Sequence, residues 1–404
     1  MPGDVWALYG QPELRATPAP LPDAHTIPPR EWLLGTWLLR RFVSILAAQG
    51  GAGKSALALA AAVSLATGRT LIDEYVHHRT PVWLMNLEDP ADEVNRRLAA
   101  LMQLHGIPRH ELDTRLFVHH GRDRRLLMAA ESQGGFTYPD QDIVIEQAKA
   151  QRIGLIIVDP FVKSHTLEEN DNSAMDAAVT AWSEVAERAN LAVLLVHHVR
   201  KPGTGGADTS VDAARGAKSL TDAARSARIL TPMSRDEAER LGIAQADRAR
   251  LTRLTDAKAN LAPLRPGASW LRLEQIALGN GTEHYPNGDT VAAITPWKPP
   301  SLWAAHSAPE LNRVLDRLAD GPAPGTLYAP TRRGRALQRW AGTVLMHELG
   351  LNETQAAEII TTWIQSGTLQ VVTYRDPQQR RERTGVHVMD THRPTNTLSD
   401  GDDE

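Results

Sequence analysis

Short apolar runs alternate with longer segments of helical periodicity over most of the chain, between residues 31 and 278. Runs this short and continuous are typical of strands that are buried on both faces of a parallel sheet. The alternation therefore predicts an α/β fold, a parallel sheet flanked by helices on right-handed crossovers. Two later runs, residues 250–254 and 269–278, are expected to extend the sheet in antiparallel orientation. The predicted parallel strands are residues 43–48, 81–87, 116–119, 154–158 and 192–197, and the predicted helices are residues 55–67, 90–105, 143–152 and 173–190.

The C-terminal part of the chain carries a different pattern, which predicts a small α+β domain. Apolar positions on one helical face predict a first helix around residues 311–318, and a second is predicted over residues 336–349. A capping box at Asn352 opens a third helix over residues 353–365. Three helices and a two-stranded hairpin form a winged-helix-like pattern. The strands of the hairpin are residues 369–374 and 385–389.

Segments without periodicity divide the chain. The N-terminus is rich in proline, the segment before the small domain is rich in glycine and proline, and the C-terminus is polar and acidic. The predicted organisation is a flexible arm (residues 1–30), the α/β core (31–278), a linker (279–300), the winged-helix-like domain (301–390) and an acidic disordered tail (391–404).

Composition narrows the class of protein. The chain has 404 residues and a net charge of −4, so any surface that binds nucleic acid must be local. It has no cysteine, which excludes disulfides and thiolate metal sites and fits a reducing compartment. No basic and then apolar signal pattern opens the sequence, and the longest alanine- and leucine-rich run, residues 56–67, is too short to span a bilayer. We therefore expect a soluble, cytoplasmic protein with no membrane partner.

A glycine-rich loop follows the first predicted strand and precedes the first predicted helix. Residues 48–55 read Ala-Gln-Gly-Gly-Ala-Gly-Lys-Ser, the phosphate-binding pattern G-x-x-x-x-G-K-[ST] with Ala48 in place of its first glycine. The backbone N–H groups of such a loop surround the β-phosphate, Lys54 can reach the β- and γ-phosphates, and the Ser55 hydroxyl can bind Mg²⁺. The sequence thus predicts a site for ATP and Mg²⁺. Its nucleotide-binding residues are Gly50, Gly51, Ala52, Gly53, Lys54, Ser55 and Ala56.

Polar residues end three further predicted strands, and the carboxyl ends of parallel strands meet at one edge of a sheet. Asp159 follows a buried strand and can hold the water shell of Mg²⁺, although aspartate also ends ordinary strands. Glu88 can polarise the water that attacks ATP; the alternative is an acid that opens the next helix, which its neighbours also fit. His197 and His198 end a later strand, where one can sense the γ-phosphate and the other can be a buried structural histidine.

These motifs recur together in a known family. The loop at residues 45–55 resembles that of RecA-type hexameric helicases, and in their DnaB-like branch alanine often replaces the first glycine. Over residues 31–278 the order of motifs is most similar to plasmid RepA-type replicative helicases, and residues 325–390 resemble C-terminal regions of ATPases from phages and mobile elements. The motifs are residues 87–90 followed by Arg97, residues 158–160, the histidine pair, residues 215–217 followed by Asp222 and Arg225, and residues 258–260. The resemblance implies a RecA-like fold and a homo-oligomer, a hexameric ring.

The resemblance also implies roles for single residues. Arg225 would be an arginine finger that enters the site of the neighbouring subunit, and Lys258 would be a second cation acting in trans. From the residues alone the role of Arg225 is undecided, because an arginine in an arginine-rich segment is also commonly a surface ion-pair residue. The remaining implied machinery is Lys54, Glu88 as the catalytic base, Asp159 with Ser55 at the metal, His198 as the sensor and Arg97 near the nucleotide.

Two loops occupy positions that face the DNA strand in RecA-type rings. The first, residues 161–165, contains Lys163, but the acidic stretch that follows argues against close phosphate contact. The second begins with Arg200 and Lys201 and continues in glycines, so it can contact single-stranded DNA and move with nucleotide state. Phe161 is the only clear candidate for base stacking, so base-specific recognition is not expected.

The winged-helix-like domain has two interpretations. Its third helix contains no lysine or arginine, whereas a helix that lies between phosphates is usually basic. Arginines in the hairpin loop instead predict contact with the DNA backbone through the wing, and docking of a protein partner fits equally well. The wing arginines are Arg380, Arg381 and Arg383.

Together these features predict an ATP hydrolase: a ring-forming DNA helicase or translocase that acts on single-stranded DNA in the replication of a plasmid or phage. A primase or an initiator protein would be a further partner. One alternative is a RecA-type, DNA-stimulated ATPase without unwinding, such as a loader or a signalling ring. The other is a DNA-binding initiator or regulator in which ATP acts as a switch.

Overall fold

The computed structural model describes residues 16–19, 21–199, 224–264, 268–299, 306–332 and 338–394. The chain divides into two compact units, Met1–Glu31 and Trp32–Glu404. The described part of the first unit contains a 3₁₀ turn, Ala24–Thr26, which is capped by the Asp23 carboxylate. The second unit begins close to the boundary that was predicted at residue 30. The predicted tail lies outside the described residues from position 395 onward.

A mixed β-sheet forms the centre of the second unit. The strands are β1 (Trp32–Leu34), β2 (Leu38–Leu39), β3 (Val43–Gln49), β4 (Val82–Asn86), β5 (Leu116–His120), β6 (Ala130–Ser132), β7 (Gly135–Thr137), β8 (Leu155–Asp159), β9 (Ala192–Val199), β10 (Ser226–Pro232), β11 (Leu251–Ala259), β12 (Ser269–Ala277), β13 (Thr290–Trp297), β14 (Leu369–Arg375) and β15 (Glu382–Val388). Among the described residues the main sheet has nine strands in the order β13-β12-β11-β10-β3-β9-β8-β4-β5. Pairing is parallel from β10 through β5 and antiparallel from β10 out to β13.

The helices of the described residues are α1 (Lys54–Thr67), α2 (Ala91–His105), α3 (Gln141–Ala150), α4 (Asn172–Arg188), α5 (Arg235–Leu241), α6 (Gln245–Arg248), α7 (Ala308–Asp320), α8 (Gly342–Leu349) and α9 (Glu353–Gln365). Of these, α1 and α2 cover one face of the main sheet, and α3 and α4 cover the other. Successive residues of β3 alternate between two cores: Leu46 packs with the α1 and α2 side, and Ile45 with the α3 and α4 side. The predicted α/β fold is thereby confirmed. Among the described residues no helix combines the length and apolar character that crossing a bilayer needs.

Strand β10, which was not predicted from the sequence, lies between β3 and β11 in the sheet. Arg228 interrupts its apolar run, yet this arginine is 2% exposed. Its guanidinium pairs with Glu74 at 2.5 Å and with Asp256 at 2.9 Å, and it lies 4.7 Å from the ring centre of Trp37. Burial of an arginine is tolerated when its donors are paired in this way. Because Arg228 interrupts the apolar pattern, the central strand β10 could not be recognised from the sequence.

The predicted linker at residues 279–300 was wrong in its second half. Residues 290–297 form β13, the edge strand of the main sheet, paired with β12 from Ala277↔Thr290 to Trp270↔Trp297. The glycine- and proline-rich segment before it is the turn of this hairpin, in which the Asn280 amide donates to the Asp289 carboxylate at 2.8 Å. Residues that were read as a linker are the tip and second strand of a hairpin, so the sheet extends to Trp297.

The C-terminal residues form three helices and the β14–β15 hairpin around a core of their own. The capping box is confirmed: Gln355 N–H donates to the Asn352 side chain at 2.9 Å, and Asn352 N–H donates to Gln355 at 3.0 Å. The predicted second helix, residues 336–349, is shorter, because α8 begins at Gly342. Before it, Ala341 N–H donates to the Ala329 carbonyl at 2.9 Å, so these residues bond to another segment instead of a helical turn.

The third helix of this group, α9, packs against α5 of the main-sheet region. Arg240 of α5 pairs with Glu358 of α9 at 3.5 Å, and the Asn352 amide donates to the Glu239 carbonyl at 3.3 Å. Arg332 pairs with Glu353 at the start of the same helix. Part of the surface of α9 is therefore occupied by contacts within the chain.

Candidate nucleotide-binding and catalytic site

The phosphate loop runs from β3 into α1 and adopts a conformation that glycine permits. Gly51 and Gly53 have φ angles of 81° and 91°, which side-chain-bearing residues rarely adopt. Ala52 N–H donates to the Gln49 carbonyl at 3.2 Å and closes the turn. No atom lies within 4 Å of the position that a Cβ would take on Gly50 or Gly51, so one side of the loop is open. Exposed backbone N–H groups at a helix N-terminus are suited to bind a phosphate.

Lys54, Ser55 and Asp159 converge beside the loop. Asp159 ends β8, is 5% exposed and lies beside the Ser55 hydroxyl. Burial raises the pKa of Asp159, and the Ser55 hydroxyl and the charge of Lys54 oppose this rise. Burial also lowers the pKa of Lys54, against the nearby charges of Asp159 and Glu88. A hydroxyl, a buried carboxylate and an ammonium group are thus brought together, as the sequence predicted.

The donor set of Ser55 and Asp159 fits Mg²⁺, which prefers hard oxygen ligands and keeps several waters. Among the described residues no group of three or more His, Asp or Glu side chains is placed to hold a metal alone. Phosphate oxygens and water would therefore complete the coordination. A bound Mg²⁺ would neutralise charge that develops on the β- and γ-phosphates.

Glu88 and His198 lie at the same end of the sheet. Glu88 follows β4, is exposed, and its charge acts on the pKa values of both Lys54 and His198. His198 lies on β9, which separates the loop strand β3 from the Asp159 strand β8, and it pairs in register with Ala48. Loss of solvent around its ring lowers the pKa of His198, and Lys54 adds to this, whereas Asp159 and Glu88 raise it. The predicted base and sensor therefore flank the phosphate loop.

His197 differs from its neighbour. It is 7% exposed, and its Nδ1 has no hydrogen-bond partner within the described part of the chain. Burial lowers the pKa of His197 to about 4, and the adjacent His198 adds to the effect. His197 is therefore the buried histidine of the pair, whereas His198 is exposed, and the prediction of a γ-phosphate sensor stays with His198.

Arg97 lines a cleft of about 500 Å³ beside the phosphate loop. Its guanidinium pairs with Asp89 at 2.6 Å and with Glu93 at 3.0 Å, which holds it along α2. Loop residues Gly51, Gly53, Lys54, Ser55 and Ala56 line the same cleft. The prediction that Arg97 lies near the nucleotide agrees with this position.

The β12–β13 hairpin supplies the other wall of the cleft, and this wall was not predicted from the sequence. The Leu273 side chain comes within 3.1 Å of the position of a Cβ on Gly53. Arg96 of α2 pairs with Asp289 at 2.9 Å and ties the hairpin tip to the helix. The continuous apolar run from Val291 to Ile294 was the signal that could have identified this strand.

Arg225 and Lys258 lie at the opposite end of the sheet from the phosphate loop. Arg225 directly precedes β10, whose Ser226 pairs with Ser44 near the start of β3. Lys258 on β11 pairs with Ala227 and is at the same end. The loop follows Gln49, five residues further along β3, a separation of roughly 16 Å at about 3.3 Å per residue. Arg225 is exposed and cannot reach the loop of its own subunit.

The DNA-contact candidates of the first loop have unequal surroundings. Lys163 is exposed on a 3₁₀ turn, Phe161–Ser164, and lines a cavity of about 740 Å³ with Arg125 and His165. Phe161 is 1% exposed and packs in the core, so it is not available to stack on a base. Arg200 and Lys201, the candidates of the second loop, lie outside the described residues.

The wing arginines also differ from one another. Arg380 and Arg381 are exposed at the turn between β14 and β15. Arg383 pairs with the buried Asp376 at 2.9 Å, and Asp376 also accepts from the N–H groups that close the turn. Arg383 therefore holds the hairpin together, and its prediction as a DNA contact is weakened by this pairing.

Comparison with known proteins gives one family match and a match among solved structures. Residues 11–204 match the model of a family described as an AAA domain. Among solved structures, the crystal structure of the RadB recombinase matches with 14% sequence identity and a TM-score of 0.35, covering 58% of this chain and 88% of that chain. The family match spans the phosphate loop and the strands that carry Glu88, Asp159 and His198. Residues 11–204 are therefore similar to an AAA domain, and they contain the phosphate loop together with the parallel strands β3, β4, β8 and β9.

Proposed function

We propose that the protein is a ring-forming, ATP-driven DNA helicase or translocase that acts on single-stranded DNA in the replication of a plasmid or phage. One observation carries the proposal: the phosphate loop and the two cations Arg225 and Lys258 lie at opposite ends of the same sheet. A site that needs these cations must take them from a neighbouring subunit. This favours a closed ring, a hexamer by resemblance, in which ATP lies between subunits.

The chemistry of one site follows from the residues around the loop. Lys54 and the loop backbone hold the phosphates, and Ser55 and Asp159 would hold Mg²⁺ together with phosphate oxygens and water. Glu88 accepts a proton from the attacking water, and His198 contacts the γ-phosphate. The guanidinium of the neighbour's Arg225 meets the charge that spreads over the γ-phosphoryl oxygens in the transition state.

Contacts of α9 bear on the alternative of a DNA-binding initiator. This helix packs on α5 through Glu358 and Asn352, so it is not free to enter a DNA groove in this arrangement. The C-terminal residues can still contact DNA through Arg380 and Arg381, or bind a primase or initiator protein. The helicase or translocase is therefore favoured over the DNA-binding initiator in which ATP acts as a switch.

A forked-duplex unwinding assay tests the proposal. The parental protein with ATP and Mg²⁺ should release the labelled strand, and the Lys54→Ala variant should not. ATP hydrolysis that is stimulated by single-stranded DNA without strand release would favour the loader or signalling ring. Tight binding to one duplex sequence without either activity would favour the initiator and would exclude the proposed motor.

A further inference from the structure

A short segment after β5 contacts the backbone that carries Glu88. Gly121 N–H donates to the Asn86 carbonyl at 2.8 Å, and Arg122 Nε donates to the Glu88 carbonyl at 3.0 Å. The approach is very close: a Cβ on Gly121 would lie 2.7 Å from Leu87 Cα and 3.0 Å from the Leu87 carbonyl oxygen. Only glycine fits at this distance, so Gly121 allows the following arginine to reach Glu88.

The peptides on either side of Glu88 are fixed by other groups. Leu87 N–H donates to the Asp159 carbonyl at 2.8 Å, which links the segment to the strand end of the metal-side carboxylate. Asp89 N–H donates to the Asn86 side chain at 2.8 Å, and Asp89 also pairs with Arg97. The contact to the carbonyl of Glu88 itself comes from Arg122. A guanidinium carries a positive charge, so this hydrogen bond is charge-assisted.

We propose that Arg122 is a positioning residue that holds the peptide of Glu88 so that its carboxylate faces the water attacking ATP. Glu88 is exposed and follows the end of its strand, so its direction depends on how its backbone is held. Small displacements of a general base lower the rate strongly, because proton transfer needs hydrogen-bond distance. The inference rests on the role of Glu88 in the function proposed above.

The test compares Arg122→Ala, Arg122→Lys and Arg124→Ala in the full-length protein. Arg124 is the matched control, because it lies in the same turn but pairs with Asp140 at 2.5 Å. Arg122→Ala should lower kcat by about tenfold and leave the affinity for a fluorescent ATP analogue within about twofold of the parent, since it acts on the geometry of the base. Arg122→Lys should recover part of the rate, because an ammonium can also donate to a carbonyl, and Arg124→Ala should keep the parental kcat.

Two further measurements separate this inference from the proposed function. In a Glu88→Gln background, Arg122→Ala should have no further effect on kcat, because the base through which it acts is gone. Hydrogen exchange of the peptide containing Leu87 and Glu88 should be faster in Arg122→Ala than in the parent. Parental kcat in Arg122→Ala, full additivity with Glu88→Gln or unchanged exchange would each overturn the positioning role. Parental hydrolysis by Glu88→Gln alone would instead overturn the assignment of the base, and this inference with it.

Discussion

Two inactive variants should restore ATP hydrolysis when they are mixed, if Arg225 acts in trans. Lys54→Ala removes the lysine of the phosphate loop, and Arg225→Ala removes the proposed finger. The structure separates Arg225 from its own loop by five strand residues, roughly 16 Å at about 3.3 Å per residue. An arginine side chain is much shorter than this separation. A subunit that lacks Lys54 can still lend Arg225 to a neighbour that lacks only Arg225.

The size of the recovery follows from random assembly. In an equal mixture, a site is intact when its own subunit retains Lys54 and the neighbour retains Arg225. Each condition holds for half of the subunits, so about one quarter of the sites should work in a closed ring with one neighbour per site. The recovered rate should follow the product of the two mole fractions and be highest in the equal mixture.

Basal phosphate release is the appropriate assay, at protein concentrations where gel filtration shows a ring. DNA is omitted so that coordination along a strand does not lower the rate of rings with few intact sites. Each variant is measured alone across the same concentrations as the control. A mixture that gives only the sum of the two single rates, at every ratio, would refute the trans role of Arg225.

Three other perturbations have defined outcomes. Lys54→Ala should abolish ATP hydrolysis with little change in the circular dichroism spectrum, because it removes a phosphate contact. Arg228→Ala should lower the free energy of unfolding in urea by about 3–5 kcal/mol, since the buried carboxylate of Glu74 and the half-buried carboxylate of Asp256 each lose an ion pair; Arg188→Ala, which breaks an exposed ion pair, should cost less than about 1 kcal/mol. The pKa of folded His197, about 4, lies below the unfolded value of 6.5, so its stabilisation is present above pH 6.5 and is lost towards pH 4. His197→Gln should flatten that slope in urea denaturation at different pH values.

The sequence was enough to predict which side chains gather at the strand ends, because each of them comes soon after an apolar run. Lys54, Asp159, Glu88 and His198 come from four segments, and parallel pairing alone is enough to bring their strand ends to one edge. That inference needs only the fold class. It does not need the exact register of any pair of strands.

Two contacts could not be predicted from the sequence, because one depends on the register of a strand pair and the other on ion-pair partners from distant segments. Arg122 reaches Glu88 because β5 pairs with β4 so that His120 lies opposite Asn86, and no residue pattern encodes that alignment. The sequence alone suggests that Arg228 is a surface residue, because its partner Glu74 comes from a distant segment of the chain. Buried charges are favourable only through such partners, which a single sequence does not reveal.

The C-terminal helices are tied to the nucleotide end of the sheet. Their contact helix α5 begins three residues after Pro232, the end of β10 that lies on the phosphate-loop side, since β10 runs parallel to β3. Arg225 lies at the other end of the same strand. Binding of α9 to another surface would have to break its contacts with α5, including the Arg240–Glu358 ion pair. Arg380 and Arg381 in the β14–β15 turn take no part in these contacts, so DNA can meet them without releasing the helix. If the β14–β15 turn bound DNA while α9 stayed packed on α5, the end of the sheet that carries Arg225 would stay free for the neighbouring subunit.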